Sequence, residues 1–588
     1  MSRRPVARFV GLWLLACFGL GACSEPDPAD ASSSHATSVL LITLDTTRRD
    51  ALGTYGREPS PSPHLDRLAE RSLVFENART VTPMTLPSHA SMLTGLVPPR
   101  HSVRDNSHSS LPAAAWSIAE AAQQAGVRTA AVIAAPVLDP AYGLARGFDS
   151  YDAPTQAEAR RTGRHGGRRA DDVTHRAVEF LQSLEPGAPF FLWVHYFDPH
   201  EVYEPAPAHL QAAGGDLYHG EVAQMDAGVG ALLEALRATP HAGDTAIVVT
   251  ADHGEALGEH GEETHSAFVY DSTLMVPLIV FDPRRDLTER VVEPVSVVDV
   301  APTIAGLIGV DAPSSIDGAD LLVAERDPQR AVYFESLYGA GYYRWSPLVG
   351  LITEGRKFIH SSTPEIYDVG SDPRELSPIA DPAFASRART RLEELLALPR
   401  IGGVQRSESG PDIDELRRLG YVGAGLDADS IGNELLTRGW PSPHDRAAEL
   451  QTMRGIMARH ASGDREGTIE PLLAVLAKEP DNPTALSLVG QNLRALGRAQ
   501  EAIPYLERFA NGGTRWPATW LELARALVMT SDIEAALAWY DRVLAEKRST
   551  SVAKEIAGVF QHLGRGEDGL EWLAERGFST QPPSNDGR

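Results

Sequence analysis

The residues with the most to offer chemically surround Thr82-Pro83-Met84-Thr85-Leu86-Pro87-Ser88-His89-Ala90-Ser91-Met92-Leu93-Thr94-Gly95. The stretch reads as a loop that feeds a helix. Thr85 is placed to act as N-cap, and Pro87 falls in the first turn, where a missing N–H costs nothing. A hydroxyl there stands at the positive end of the helix, where an oxyanion would also be held. An ordinary capped helix has the same signature, so the neighbours decide its meaning. Asp45 and Asp252 offer oxygen ligands and His253 a nitrogen. That mixed set suits Zn²⁺ or Mn²⁺ better than an all-oxygen Ca²⁺ cage, with Ca²⁺ left open. A metal beside Thr85 would lower the pKa of its hydroxyl and create a nucleophile that threonine alone cannot be. Taken singly, Asp45 and Asp252 read as helix caps, and His200 and His265 as satisfied structural histidines. Taken together, they meet each requirement of metal-assisted ester cleavage.

Strands must carry these residues. Ser38-Val39-Leu40-Leu41-Ile42-Thr43-Leu44 is a continuous apolar run, as in a strand buried on both faces, and it ends at Asp45. Residues 245–250 form a second run that ends at Asp252-His253-Gly254-Glu255. A third, 189–196, leads to Asp198-Pro199-His200, and a fourth, 276–281, follows His265. Helical stretches at 116–125 and 218–236 lie between them. The alternation predicts an α/β fold with a mostly parallel sheet flanked by helices. Ligands bind such sheets beyond the carboxyl ends of the strands, where these residues fall.

The chain has 588 residues, so two or three domains are expected. A net charge of -25 argues against nucleic acid as a partner. It also means that an anionic substrate must be attracted locally, by a metal or a helix terminus. The two cysteines, Cys17 and Cys23, are both N-terminal, which leaves no thiolate chemistry for the folded body. Arg3, Arg4 and Arg8 precede the apolar run 9–18, the pattern of a signal peptide. Leu20-Gly21-Ala22-Cys23 resembles a bacterial lipobox, which implies cleavage before Cys23 and lipidation of its thiol. Ser24 after it implies sorting to the outer membrane, facing the periplasm or the exterior. Residues 23–37 read as a flexible tether.

Residues 38–400 resemble the sulfatase branch of the alkaline-phosphatase superfamily. The resemblance runs in family order through Leu44-Asp45-Thr46, Phe75-Glu76-Asn77-Ala78, Thr85-Leu86-Pro87-Ser88-His89 and Val103-Arg104-Asp105-Asn106. It continues through Asp198-Pro199-His200, Ala251-Asp252-His253-Gly254-Glu255 and Tyr270-Asp271-Ser272. Glu365-Ile366-Tyr367-Asp368 looks like the family's small C-terminal subdomain, a short antiparallel sheet with a helix. The resemblance implies that Asp45, Thr85, Asp252 and His253 bind the metal and that Thr85 is the nucleophile. It implies that Asn106, His200 and His265 contact the transferred group or the leaving oxygen. The departures are as informative. Sulfatases of the usual kind carry at position 85 a Cys or Ser that becomes formylglycine, and Thr cannot. His89 stands in place of an Arg, Thr46 in place of the second Asp of a pair, and Met275 in place of an Arg. Thr nucleophiles resemble those of the superfamily's phosphodiesterases and lipoteichoic acid synthases, which implies a covalent phospho-Thr or sulfo-Thr and favours phosphate. His200 and His265 would then protonate the leaving oxygen or hold the equatorial oxygens, with His89 beside the nucleophile. A second metal at Asp198, His200 and His265 is a weaker reading.

Residues 401–445 read as a linker. Beyond it, segments beginning at Gly463, Gly497, Ser531 and Gly564 align with one another, at a spacing of about 34 residues. Residues 446–580 resemble tetratricopeptide repeats, which implies a surface for a protein partner. The expected activity is metal-dependent cleavage of an anionic phosphate or sulfate ester. The rivals are an arylsulfatase-like enzyme without formylglycine and an inactive scaffold that works through its repeats.

Overall fold

The computed structural model describes residues 38–106, 109–155, 158, 166–286, 288–323, 327–401, 405–406, 439–512, 516–546 and 549–578. The N-terminal address, with Cys17 and Cys23, and residues 407–438 of the expected linker lie outside the described residues.

Eight strands make the main sheet. In chain order they are β1 (Ser38–Leu44), β2 (Leu73–Phe75), β3 (Arg128–Val132), β4 (Ser150–Asp152), β5 (Phe190–Tyr196), β6 (Thr245–Ala251), β7 (Leu278–Phe281) and β8 (Glu289–Val291). Across the sheet the order is β8-β2-β7-β6-β1-β5-β3-β4. β1, β5 and β6 are buried along their whole length, which explains their unbroken apolar runs. All pairings are parallel except those of β7, which runs antiparallel to β6 and β2. The fourth strand of the sequence reading thus departs from the parallel set. The reason lies in the connection: residues 252–277 hold only single-turn helices, Glu259–Gly261 and Asp271–Leu274, and no crossover helix returns the chain to the starting edge.

Register sets the site. Leu44 pairs with Tyr196 on one side and Ala251 on the other. Asp45, Phe197 and Asp252 therefore leave the sheet at the same level. α1 (Thr85–Thr94) packs with the helices at Ile118–Gln124 and Val300–Ile308, while α2 (Ala170–Gln182) packs with α3 (Leu217–Arg237). The two groups cover the two faces.

A four-stranded antiparallel sheet spans Val332–Asp368, with the helix Pro382–Leu396 against it. The helical region follows, beginning with α4 (Ala447–Ala461), α5 (Glu466–Lys478) and α6 (Pro483–Ala495). Five further helices carry the chain to Glu575. Each helix packs on the next. The four aligned positions Gly463, Gly497, Ser531 and Gly564 all take positive φ, between 65° and 90°. They are the turns where one helix gives way to the next, and glycine at three of the four avoids the left-handed penalty. Among the described residues no helix is long and apolar enough to cross a membrane.

Candidate active site and metal centre

Thr85 is the first residue of α1, not its cap. Met84 is the N-cap and contributes no side-chain hydrogen bond. The cap is supplied from elsewhere: Leu86 N–H donates to Asn106 Oδ1 at 2.9 Å. This arrangement releases the Thr85 hydroxyl, whose Oγ1 lies 3.4 Å from His253 Nε2. Ser88, one turn on, donates to the carbonyl of Asp252 at 2.8 Å and pins the helix to the end of β6.

Asp45, Asp252 and His253 converge on the same spot and are wholly buried. Their ligand atoms lie within 4.8 Å of one another. His253 Nδ1–H donates to Gly254 O at 3.0 Å, which leaves Nε2 with its lone pair turned towards the carboxylates. Asp252 Oδ1 accepts from the N–H groups of Thr46 and His253, at 3.2 and 2.8 Å. Asp252 Oδ2 and both oxygens of Asp45 have no hydrogen-bond partner among the described residues. Orphaned buried carboxylate oxygens are costly unless a cation meets them. Burial accordingly raises the Asp45 carboxyl to about 7. The donor set fits a divalent metal with mixed oxygen and nitrogen ligands.

Thr46, where a second carboxylate was expected by resemblance, turns away. Its hydroxyl donates to Pro199 O at 2.9 Å, and its backbone is held at positive φ. The second-metal reading is corrected by Asp198. Its Oδ2 accepts from Ala170 N at the start of α2, and its Oδ1 from Gln224 Nε2. Both oxygens serve to fasten helices, and among the described residues Asp198 does not gather with His200 and His265 into a group of metal ligands.

His200 and His265 stand on the open side. Their ring centroids are 5.2 Å apart, and His265 is 4.5 Å from the ring of His253. His200 Nδ1–H donates to Glu201 O at 2.6 Å. His265 Nδ1 is 3.0 Å from Glu255 Oε1, and Tyr203 Oη donates to Glu255 Oε2 at 3.0 Å. Each histidine is thus held through Nδ1. Glu255 is buried, which pushes its carboxyl up to about 8.

His89 belongs to a buried chain. Trp193 Nε1–H donates to Thr43 Oγ1, Thr43 Oγ1–H to His89 Nε2, and His89 Nδ1–H to Thr85 O, at 2.9, 3.1 and 2.8 Å. Burial lowers the His89 imidazole to about 3, so it is neutral. A second group of buried donors, His89, His195 and Asp252, also falls within 4.8 Å. The engagement of both His89 nitrogens removes it from consideration as a metal ligand. His195 itself lies 3.4 Å from Asp45 Oδ2.

Sequence reasoning placed Glu255 in a motif without giving it a role, and singled out neither Tyr203 nor His195. An imidazole inside the apolar run of β5 was a signal for His195. Nothing in the sequence ties Tyr203 to Glu255.

A hydroxyl beside buried carboxylates and an imidazole that could hold a metal suits ester hydrolysis, and the comparisons indicate an ester hydrolase of the alkaline-phosphatase superfamily. Residues 37–310 match the model of the sulfatase family, and residues 258–400 match the C-terminal model of N-sulphoglucosamine sulphohydrolase. Over residues 37–400 the chain is thus similar to the sulfatase family of that superfamily. An N-acetylglucosamine-6-O-sulfatase of Bacteroides thetaiotaomicron is 23% identical over 500 residues, covering 65% of this chain and 89% of that one. A solved structure of a protein in complex with its substrate D-glucosamine-2-N,6-O-disulfate superposes with a TM-score of 0.53 at 22% identity, over 61% of this chain and 97% of that one. The phosphonate monoester hydrolase of Agrobacterium radiobacter superposes with a TM-score of 0.50 at 22% identity, over 61% of this chain and 95% of that one.

Proposed function

We propose that the chain cleaves phosphate or sulfate esters through Thr85 as nucleophile, with phosphate slightly favoured. One observation carries this reading. The Thr85 hydroxyl is free of capping, stands 3.4 Å from His253 Nε2, and shares its pocket with carboxylate oxygens that have no hydrogen-bond partner among the described residues. Asp45, Asp252, His253 and Thr85 would hold the metal, with Zn²⁺ or Mn²⁺ favoured by the nitrogen ligand. When bound, the metal supplies positive charge that favours the Thr85 alkoxide and offsets the ester's negative charge.

The residues then divide the work. Thr85 Oγ, its proton released to solvent, attacks phosphorus or sulfur, and the bond to the leaving alcohol breaks. His265 or His200 delivers a proton from Nε2 to the leaving oxygen, His265 being oriented by Glu255. The product is the free alcohol and a phospho-Thr or sulfo-Thr ester. Attack by water, or by a second alcohol in a transfer reaction, restores Thr85. A plain alkoxide is the superfamily's phosphoryl device, which favours phosphate. The sulfatase relatives favour sulfate, and turnover of a sulfate ester without formylglycine is the alternative. The helical region is read as tetratricopeptide repeats offered to a protein partner, and Cys23 as a lipid anchor in the bacterial envelope. The catalytically inactive scaffold is the remaining alternative.

The test is elemental analysis of the purified protein together with turnover of an aryl phosphodiester and an aryl sulfate. The expected result is stoichiometric Zn or Mn and phosphodiester turnover that falls at least about a thousandfold in Thr85→Ala, an order set by loss of the nucleophile. Thr85→Ser should keep substantial activity. Unchanged turnover in Thr85→Ala rules out the nucleophile assignment. Turnover of the sulfate alone supports the alternative, and no metal with no turnover supports the scaffold.

A further inference from the structure

The helical region touches the active site. A pocket of about 150 Å³ opens beside His200 and His265, on the side where the leaving alcohol of an ester attacked by Thr85 would project. Its opposite wall is α4, which brings Leu450, Gln451, Arg454 and Met457 to it. Arg454 fixes that wall in place. Its Nη1 donates to Thr264 Oγ1 and its Nη2 to Glu201 Oε1, both at 2.6 Å, and its Nε is 3.4 Å from Glu263 Oε2. Glu201 directly follows His200, and Thr264 directly precedes His265. A side chain from the helical region therefore bridges the two segments that carry the histidines. Arg454 keeps 30% of its side chain exposed, on the pocket side of a helix whose Met453 and Ile456 are buried in the core.

We propose that α4 is a wall of the substrate site and that Arg454 is a specificity-determining residue for the alcohol half of the ester. The proposal rests on the reading of His200 and His265 as the leaving-group side. The lining defines the alcohol. Glu201 and Glu263 outnumber the one guanidinium, so an alcohol bearing its own carboxylate or phosphate is repelled. Carboxylate, guanidinium, amide and hydroxyl groups around Tyr338 and Met457 suit an uncharged alcohol with several hydroxyl groups, each able to donate and accept. The volume suits one small ring and not a chain. A catalytic domain without its helical region would have this pocket open on one side.

Saturation-transfer NMR on the full chain tests this without ester turnover. The probes are methyl α-glucopyranoside, uncharged and polyhydroxylated, and its uronate counterpart, which differs by one carboxylate. The uncharged glycoside should give transfer to the wild-type protein, and the uronate at least fivefold less. Arg454→Ala should weaken the glycoside signal at least fivefold. Met457→Trp fills the pocket and leaves the Arg454 ion pairs in place, so it should abolish the signal even if Arg454→Ala loosens the fold. Absence of transfer to the wild-type protein, equal transfer from both probes, or unchanged transfer in Met457→Trp would each overturn the proposal. Pairing this measurement with aryl-ester turnover of Thr85→Ala separates the two readings. A failed nucleophile assignment leaves glycoside binding intact, whereas a failed wall leaves Thr85 chemistry intact.

Discussion

Asp45 carries an electrostatic consequence that can be measured through metal binding. Its carboxyl is held near 7 by burial, far above the ordinary value of 3.8. A metal can bind only the carboxylate, so binding must expel that proton. Below about pH 7 the apparent affinity for Zn²⁺ or Mn²⁺ should therefore rise roughly tenfold per pH unit, levelling off above it. Chelator-competition titrations between about pH 5.5 and 8.5 measure this, and an affinity flat across the acidic half would exclude Asp45 as a ligand. Stability of the metal-free protein runs the opposite way with pH. Asp45, Glu255 and Glu262 are all raised by burial, to about 7, 8 and 8. Their folded-state pKa values lie above the unfolded ones, so the metal-free protein holds protons that the unfolded chain has released. Their contribution to its stability is full below about pH 4 and drains away as pH rises towards 8. Metal should flatten that fall by taking over Asp45. Thermal melts with and without metal at several pH values report it, and parallel curves would contradict it.

At the scale of elements, the site depends on how α1 is capped. The sequence made Asp45 and the Asp252-His253 pair legible, because a buried strand in a parallel sheet announces itself and its carboxyl end is where ligands go. It misassigned the cap. Thr85 has the residue type of an N-cap, but the true acceptor, Asn106, comes from 20 residues further on. Asp198 was misread for the converse reason: its type suits a metal, while its partners on α2 and α3 are visible only in three dimensions. The Trp193–Thr43–His89 chain depends on strand register and side-chain reach, which periodicity does not convey. The cap leads to a discriminating experiment. Asn106→Ala should cost about 1 kcal/mol, the usual worth of an N-cap, and lower turnover by shifting Thr85. Asn106→Asp keeps the acceptor and loses the amide donor. If Asn106 acts by holding α1, Asp restores both melting temperature and turnover. If Asp restores stability but leaves turnover as low as Ala, the amide contacts the substrate, as the family resemblance implied.

Across the whole molecule, the helical region is joined to the catalytic part by a shared core and is not a bead on a string. Phe268, Tyr343 and Trp345 of the catalytic part lie in one buried cluster with Leu472, Ala485 and Leu486 of α5 and α6. Trp345 is fully buried, and its indole N–H donates to Glu479 at 3.1 Å. Thr484 at the start of α6 donates to Tyr342 O at 2.6 Å. The repeat pattern announced helices but said nothing of this docking, since the apolar residues of residues 338–345 read equally well as interior to their own subdomain. A shared core makes the two parts unfold together, because melting one exposes the aromatic surface of the other. Trp345→Ala removes the largest side chain at the junction and should cost on the order of 3–5 kcal/mol there. The expected calorimetric trace is one main transition for the wild-type protein and two for the variant, the helical region melting first. The variant should also lose selectivity for its alcohol before it loses turnover of a simple aryl ester, because α4 would swing free while α1 and the metal ligands stay on the main sheet. A variant that melts in one transition at the wild-type temperature would show that the junction contributes nothing, and the helical region would then be an independent module.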